Sequence, residues 1–258
     1  MIELKNADEI TQMRQVGAIV GKLLDFLVAR VQPGIKTKKL DDAAAEFIRS
    51  HGAEPAFLGY RGFPATICVS VNEEVVHGIP GERVIREGDV VSVDVGAKLN
   101  GYYGDAAITV AVGAVPGRVR RLIDTTKQAL DRAIEVSRPP ARLSDISHTV
   151  QQVVEQEGFG IVRDFVGHGI GRAMHEDPPI PNYGPPSRGP RLKPGMVLAI
   201  EPMVTMGTWE VEVLDDGWTA VTKDRSLAAH FEHTIAITED GPEVLTAMEQ
   251  SAKGKSQR

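Results

Sequence analysis

The sequence predicts a pair of helices that occurs twice along the chain. This repetition constrains the fold more than any other feature. Apolar residues recur at helical spacing over about residues 7–30, and a second helical segment runs from Thr37 to Gly52. The same pair returns as a helix over about residues 117–136 and another that ends at Gly158. Gly158 follows Gly52 by 106 positions. This repetition predicts two related halves, with an accidental coincidence of helix lengths as the alternative.

Proline positions and strand patterns extend the repeat. Pro33 and Pro139, each between the two helices of a pair, are also 106 positions apart. Thr37 and Ser144 are the predicted N-caps of the helices that follow them. Strand-like segments come after each pair, at residues 65–71, 90–95 and 102–112 in the first half and at 161–166, 196–205, 210–214, 218–222 and 230–238 in the second.

These patterns predict an α+β fold with internal pseudo-symmetry. Each half, over about residues 7–112 and 115–240, is expected to place helices on an antiparallel sheet. No Ser- or Gly-rich linker separates the halves, which predicts a single domain over residues 1–250. The polar residues 251–258 are expected to form a flexible tail.

Composition excludes several classes of protein. The net charge of -6 provides no basic surface field, so nucleic acid is not indicated as a direct ligand. Cys68 is the only cysteine, which rules out an internal disulfide and favours a reducing, cytoplasmic compartment. The first residues lack the apolar core of a signal peptide, and no apolar segment is long enough to span a membrane.

Two aspartates flank the strongest hairpin signal in the chain, Asn100-Gly101. If these two residues form the turn, Gly96 faces Asp105 and the side chains of Asp94 and Asp105 share one face of the hairpin. Like charges this close repel unless a cation bridges them. Two aspartates on a solvated hairpin are the alternative, which the apolar strand around Asp94 weakens.

Three more residues complete a candidate metal set. His168 lies in the glycine-rich segment VGHGIG, Glu201 in LAIEPMV and Glu232 in FEHTIAI. Either glutamate alone would more often be salt-bridged or exposed. Together with the two aspartates they provide one imidazole and four carboxylates, which suit Mn, Fe, Co or Zn in a two-metal site. The cysteine count excludes a cysteine-rich zinc site, and no HExxH helix is present.

The chain resembles the bacterial type I methionine aminopeptidases, which have the pita-bread fold shared with creatinase. The resemblance covers about residues 10–248, and the matching segments are FLGYRGFPATICVSVNEEVVHGIP, GDVVSVDVGAKLNGYYGDAAITV, FVGHGIGRAMHEDPPIPNYG, LKPGMVLAIEPM and DGWTAVTKDRSLAAHFEHTIAITEDG. The short interval between Glu201 and Glu232 leaves no room for the helical insertion of the type II enzymes. The family's two-fold related halves agree with the repeat.

The resemblance implies a role for each candidate ligand. Two divalent ions (Co, Mn, Fe(II), Zn or Ni) would be held, one by Asp94 and the other by His168 and Glu201. Asp105 and Glu232 would bridge them. The metals would activate a water for hydrolysis, and Glu201 would carry its proton to the leaving amine.

The same resemblance assigns substrate contacts. His77 and His175 would touch the substrate, with His175 on the developing oxyanion. The methionine pocket would be lined by Phe57, Tyr60, Phe63, Cys68, Met203 and Trp218, although ordinary core packing is the alternative for these residues. Phe57 stands where many bacterial members have cysteine, and Met174 where an aromatic residue is common. The remaining histidines, His51, His148, His230 and His233, match no role and are expected to be structural or solvated.

The implied function is metal-dependent removal of the N-terminal methionine from nascent proteins whose second residue is small. A monomer without nucleic-acid or membrane partners is expected, with a transient ribosome contact. A prolidase or X-Pro aminopeptidase on the same fold is one alternative, but such enzymes usually carry an additional N-terminal domain. A non-catalytic binding protein is another, but such proteins lose metal ligands, and all five are present here.

Overall fold

The computed structural model describes residues 1–248, so the predicted tail lies outside the described residues. The α-helices in this part of the chain are α1 Ala7–Val28, α2 Thr37–Ser50, α3 Gly117–Val136 and α4 Leu143–Gln156, and a short 3-10 helix covers Tyr60–Gly62. The strands are β1 Glu54–Pro55, β2 Ile67–Val71, β3 Glu74–Val76, β4 Val90–Leu99, β5 Tyr102–Ala111, β6 Gly160–Ile161, β7 Gly167–Gly169, β8 Glu176–Ile180, β9 Val197–Ile200, β10 Met203–Thr205, β11 Val211–Val213, β12 Ala220–Thr222, β13 Ala228–His230, β14 Glu232–Thr238 and β15 Gly241–Val244. Within residues 1–248, no helix is both long and apolar enough to cross a bilayer.

The two predicted helix pairs are confirmed, and each pair covers its own core. Leu23 of α1 and Leu40 of α2 are fully buried beside Val93 of β4 in the first core. Leu122 of α3 and Val150 of α4 are fully buried in the second core. Apolar stripes at helical spacing therefore pack both pairs against the strands.

The central layer is one nine-stranded sheet that contains strands from both halves. Its order is β1-β4-β5-β14-β9-β7-β8, with β2 also paired to β4 and β15 to β14. The halves meet where β5 and β14 run antiparallel, with Ala107 opposite Glu232 and Ala106 opposite His233. The sheets predicted separately for the two halves are thus continuous. Two three-stranded sheets, β13-β10-β6 and β11-β12-β3, complete the described strands.

The hairpin at the centre of the first half has the predicted register. Asn100 and Gly101 have φ angles of 52° and 83°, the left-handed conformation that a two-residue hairpin turn requires. Gly96 is opposite Asp105, and Asp94 is opposite Ala107. The two aspartates therefore occupy the same face of β4 and β5, as predicted.

The predicted N-cap of α2 is wrong by one residue, and that of α4 is wrong by two. Lys36 and Arg142 occupy the cap positions, and neither Thr37 nor Ser144 caps its helix. The Thr37 hydroxyl instead donates to the Gly81 carbonyl oxygen at 3.1 Å. The Ser144 hydroxyl oxygen accepts from the Arg188 amide at 2.6 Å. These hydroxyls tie each helix to a distant loop, a use that local sequence does not reveal.

Several predicted strands are shorter than expected or are broken. The strand predicted over 196–205 divides into β9 and β10, because Glu201 and Pro202 leave the ladder and proline has no N–H to donate. The strand predicted over 230–238 divides at Phe231, and that predicted over 161–166 is reduced to β6. At both breaks, beside Glu201 and Glu232, the chain passes from one sheet to another.

Candidate metal centre and substrate cavity

The five candidate metal ligands come from five neighbouring segments of the central sheet. Asp94 lies on β4, Asp105 on β5, His168 on β7 and Glu232 on β14, and Glu201 directly follows β9. Because β5 pairs with β14, β14 with β9 and β9 with β7, these side chains converge across adjacent strands. The continuous sheet brings the predicted ligands of both halves together.

Distances within this group leave room for a metal ion. The Nε2 atom of His168 lies 3.6 Å from Glu201 Oε1 and 3.9 Å from Asp105 Oδ2. One ligand atom from each of Asp105, His168 and Glu232 lies within 4.8 Å of the others. All three residues are buried.

Three carboxylate oxygens in this group have no hydrogen-bond partner. They are Asp94 Oδ1, Asp105 Oδ1 and Glu232 Oε1, each shielded from solvent. A buried polar atom without a partner is rare in folded proteins, and its burial is unfavourable. Their number and clustering fit a centre built to surround cations.

Without bound cations, burial is the largest influence on the pKa values of the four carboxyls. It raises the pKa of Asp94 to about 7. It also raises the pKa values of Asp105 and Glu232 well above their ordinary range, with further contributions from repulsion by neighbouring carboxylates. The pKa of Glu201 is raised by burial first and then by Asp94. Four such groups remain ionised at neutral pH only if positive charge is added.

His168 presents a neutral lone pair to the carboxylates. Its Nδ1–H donates to the Gly169 carbonyl oxygen at 2.8 Å, which leaves Nε2 without a proton. Burial, followed by the charge of His175, lowers the pKa of His168 to about 4. The imidazole therefore has the tautomer that a metal ligand needs.

His175 and His77 contact different aromatic side chains beside this centre. The His175 ring lies 4.2 Å from the His168 ring, and its Nδ1 is 2.9 Å from the Tyr60 hydroxyl. The His77 ring packs edge-on against Phe165 and Trp218, at 5.3 Å and 6.4 Å. Burial lowers the pKa of His77 to about 4. The pKa of His175 is also lowered, by burial first and then by the charge of Arg61.

A cavity of about 670 Å³, partly open to solvent, lies over the centre. Five of the six predicted pocket residues line it, namely Phe57, Tyr60, Phe63, Cys68 and Trp218. Arg61, Met174, His77 and His175 also line it. The sixth, Met203, is not a lining residue and is fully buried in a separate core with Val75 and Val162. The break after Pro202 accounts for this difference, because it starts β10 in another sheet.

Comparison with known proteins gives the same picture over nearly the whole chain. The sequence model of metallopeptidase family M24 matches residues 11–239 of this chain. A methionine aminopeptidase of Clostridium acetobutylicum is 54% identical over 250 residues, which are 96% of this chain and 100% of the relative. The chain belongs to the methionine aminopeptidases of metallopeptidase family M24.

Other methionine aminopeptidases are similarly close. Methionine aminopeptidase 1 of Bacillus subtilis is 54% identical over 246 residues, covering 95% of this chain and 99% of the relative. The crystal structure of the Thermotoga maritima methionine aminopeptidase superposes with a TM-score of 0.94 at 50% identity, covering 96% of this chain and 100% of that chain. A prolidase from Pyrococcus furiosus has a TM-score of 0.79 at 24% identity and shares the pita-bread fold alone, with 66% of its length covered.

His230 is a buried residue of this methionine aminopeptidase site that sequence reasoning left without a role. Its Nε2 lies 3.8 Å from Glu201 Oε2 and 4.0 Å from Glu232 Oε2, and this nitrogen makes no hydrogen bond. Burial lowers its pKa to about 3. The position two residues before Glu232 was the available signal, because alternate residues of an extended segment share a face.

Proposed function

We propose that this enzyme, a methionyl aminopeptidase, removes the N-terminal methionine of nascent polypeptides whose second residue is small. The observation that carries the proposal is that the five candidate metal ligands line one cavity together with aromatic and histidine side chains. An unbranched thioether fits a slot lined by aromatic rings and a cysteine sulfur. Phe57, Tyr60, Phe63, Cys68 and Trp218 are the proposed lining.

Two divalent ions are the proposed cofactors. Asp94 would hold one ion, and His168 and Glu201 would hold the other. Asp105 and Glu232 would contribute to both. The orphaned carboxylate oxygens support this arrangement, because four carboxylates balance four positive charges. Such ions lower the pKa of water and polarise a carbonyl group. Co, Mn, Fe(II), Zn and Ni all suit these ligands, and availability selects among them.

The side chains around the ions are proposed to have three separate catalytic roles. Glu201 is proposed to move a proton from the attacking water to the leaving amine, because burial raises its affinity for protons. If the Tyr60 hydroxyl donates to His175 Nδ1, the Nε2–H of His175 is available to a developing oxyanion. His77, which also lines the cavity, is proposed to contact the substrate backbone.

The cellular setting is also proposed. Residues 1–250 are inferred to form one catalytic domain, active as a cytoplasmic monomer that touches the ribosome transiently where new N-termini appear. The single cysteine and the net charge of -6 support a reducing compartment and no direct nucleic-acid or membrane partner.

A peptide-release assay tests the activity. Protein reconstituted anaerobically with Fe(II), Mn or Co should release methionine from Met-Ala-Ser and leave X-Pro peptides intact. Release from X-Pro peptides instead would favour the prolidase alternative.

The Glu201→Gln variant tests the mechanism. It keeps the size of the side chain but cannot carry the proton, so we expect kcat to fall about 10²- to 10⁴-fold. Metal content is measured in parallel, and the exposed Glu239→Gln serves as the matched control. Unchanged turnover in Glu201→Gln would contradict the assigned role.

A further inference from the structure

A buried ion pair joins the start of the chain to the segment that carries His175. Lys5 Nζ lies 2.5 Å from Glu176 Oε2, across 171 positions of sequence. The two side chains are only 3% and 15% exposed. A buried ammonium is stable only beside an opposite charge, so each partner holds the other in place.

The backbone around Lys5 is shaped to deliver this ammonium. The Lys5 amide donates to the Gly195 carbonyl oxygen at 2.7 Å, which fixes the extended segment before α1. Gly171 leaves the space that Nζ occupies, since a Cβ at that position would lie 2.8 Å from both Lys5 Nζ and Glu176 Oε1. The ammonium therefore sits between Gly171 and Glu176.

The Glu176 carboxylate also closes the loop that precedes it. Its Oε1 accepts from the Ala173 amide at 3.1 Å, while its Oε2 faces Lys5. His175 and Met174 lie within the segment that these two bonds close. The position of the His175 backbone thus depends on one carboxylate anchored by Lys5.

A second contact fixes the other side of the same loop. Arg172 lies 3.3 Å from Glu9 Oε1, near the start of α1, and its guanidinium lies over the Tyr102 ring at 4.6 Å. Met174 has its own anchor, because it is buried against Phe57 over Gly96. His175, by contrast, is held from the cavity side by the Tyr60 hydroxyl.

We propose that Lys5 and Glu176 are positioning residues for His175. Neither residue lines the cavity, and they act by fixing the loop over residues 171–176 so that the His175 imidazole points into the cavity. This inference rests on the role of His175 in the proposed function. Loss of the pair should lower kcat and leave KM nearly unchanged, because the methionine pocket keeps its own packing.

Three variants test the proposal in the full-length, metal-loaded protein: Lys5→Met, Glu176→Ala and the double variant. We expect each to lower kcat about 10- to 100-fold with KM within about twofold, since misplacing a catalytic group by 1 Å has effects of that size. The double variant removes both buried charges, so it should recover stability while kcat stays low. Its loss should equal that of the single variants, because all three remove one interaction.

Hydrogen exchange over residues 171–177 supplies a readout independent of turnover. Exchange should rise in all three variants at unchanged metal content. Arg14→Met, which breaks an ion pair between α1 and Glu243 remote from the loop, should change neither exchange nor kcat. Unaltered exchange in the variants, or wild-type kcat in the double variant, overturns the positioning role. An inactive wild-type enzyme contradicts the proposed function instead, and exchange still decides the positioning.

Discussion

Tyr60 illustrates how one hydroxyl sets the chemistry of a neighbouring ring. Its oxygen lies 2.9 Å from His175 Nδ1, and its ring stacks on the imidazole at 5.4 Å. If this hydroxyl donates, the His175 proton lies on Nε2. In that arrangement the tyrosine determines which nitrogen of His175 can serve as a donor in the cavity.

We expect Tyr60→Phe to lower kcat about 10-fold, because a hydrogen bond of this kind contributes roughly 0.5–1.5 kcal/mol. KM should change little, since the ring that lines the pocket remains. Steady-state kinetics on Met-Ala-Ser measure both values, with Tyr183→Phe, outside the cavity, as the control. A variant with wild-type kcat would show that the tautomer of His175 does not depend on Tyr60.

Phe57 and Met174, the two departures from the family pattern, meet at one point of the cavity wall. A Cβ at Gly96 would lie 2.5 Å from Phe57 Cε1 and 3.0 Å from Met174 Cε. The family resemblance predicts a smaller residue than Phe57 and a larger one than Met174 at these positions. We infer that the slender side chain of Met174 makes room for the ring of Phe57.

A double-mutant cycle tests this compensation. Phe57→Cys should loosen the pocket, and Met174→Phe should crowd the ring that remains, so each single change should raise KM. Each should also lower the free energy of unfolding. The double variant should recover most of the loss in both quantities, with a coupling of about 0.5–3 kcal/mol in the free energy of unfolding, measured by steady-state kinetics and chemical denaturation. Additive effects would mean that the two residues act independently.

At the scale of secondary-structure elements, two threonine hydroxyls supplement the short pairing of β5 with β14. Thr234 Oγ1 accepts from the Asp105 amide at 3.1 Å and donates to the Asp105 carbonyl at 2.8 Å. Thr109 makes the same pair of bonds to His230, at 2.8 Å and 2.7 Å. Side chains therefore satisfy backbone groups where the ladder between the halves ends.

We expect Thr234→Val to destabilise the fold by about 1–3 kcal/mol, because it leaves the buried Asp105 amide and carbonyl without partners. Metal affinity should fall as well, since Asp105 would lose its fixed position. Thr238→Val on the same strand is the control, as its hydroxyl bonds only within the turn to β15. Chemical denaturation and metal titration give both quantities, and equal effects of the two substitutions would refute the bridging role.

At the scale of the whole molecule, stability is linked to metal through the buried carboxyls. Their folded pKa values are raised, so without metal the folded state favours their protonated forms, and stability is lost as pH rises through those values. The buried histidines have lowered pKa values and act in the opposite direction, but only below about 6.5. Above that pH the carboxyls alone determine the trend.

We therefore expect the Tm of the metal-free protein to fall between about pH 6.5 and 8.5. Asp94, with its pKa raised to about 7, contributes only to the lower end of this range, and Asp105, Glu201 and Glu232, with pKa values raised well above the ordinary range, extend the fall to higher pH. Metal at one hundred times its Kd should restore about 2.7 kcal/mol and flatten the profile. Calorimetry with chelator and with added metal measures the difference. Asp94→Asn should show a weaker pH dependence, and an identical profile would contradict the linkage.

Local patterns in the sequence predicted what short-range physics controls. Helical periodicity located both helix pairs, and the Asn100-Gly101 turn predicted the register that places Asp94 and Asp105 on one face. Contacts between distant segments were not predictable in this way. The joint of β5 with β14 and the placement of Met203 in another core depend on where the chain bends after Pro202.

The division of the ligands between the halves has a consequence for synthesis. Glu232 is added 127 positions after Asp105. At ribosomal rates this interval lasts roughly 6 to 25 seconds, during which β5 has no partner on one side and the Asp105 carboxylate lacks its neighbours from the second half. The emerging chain therefore passes through a stage with an open strand edge beside unneutralised charge. During its own synthesis, the nascent chain of this enzyme is therefore exposed to aggregation through that strand edge.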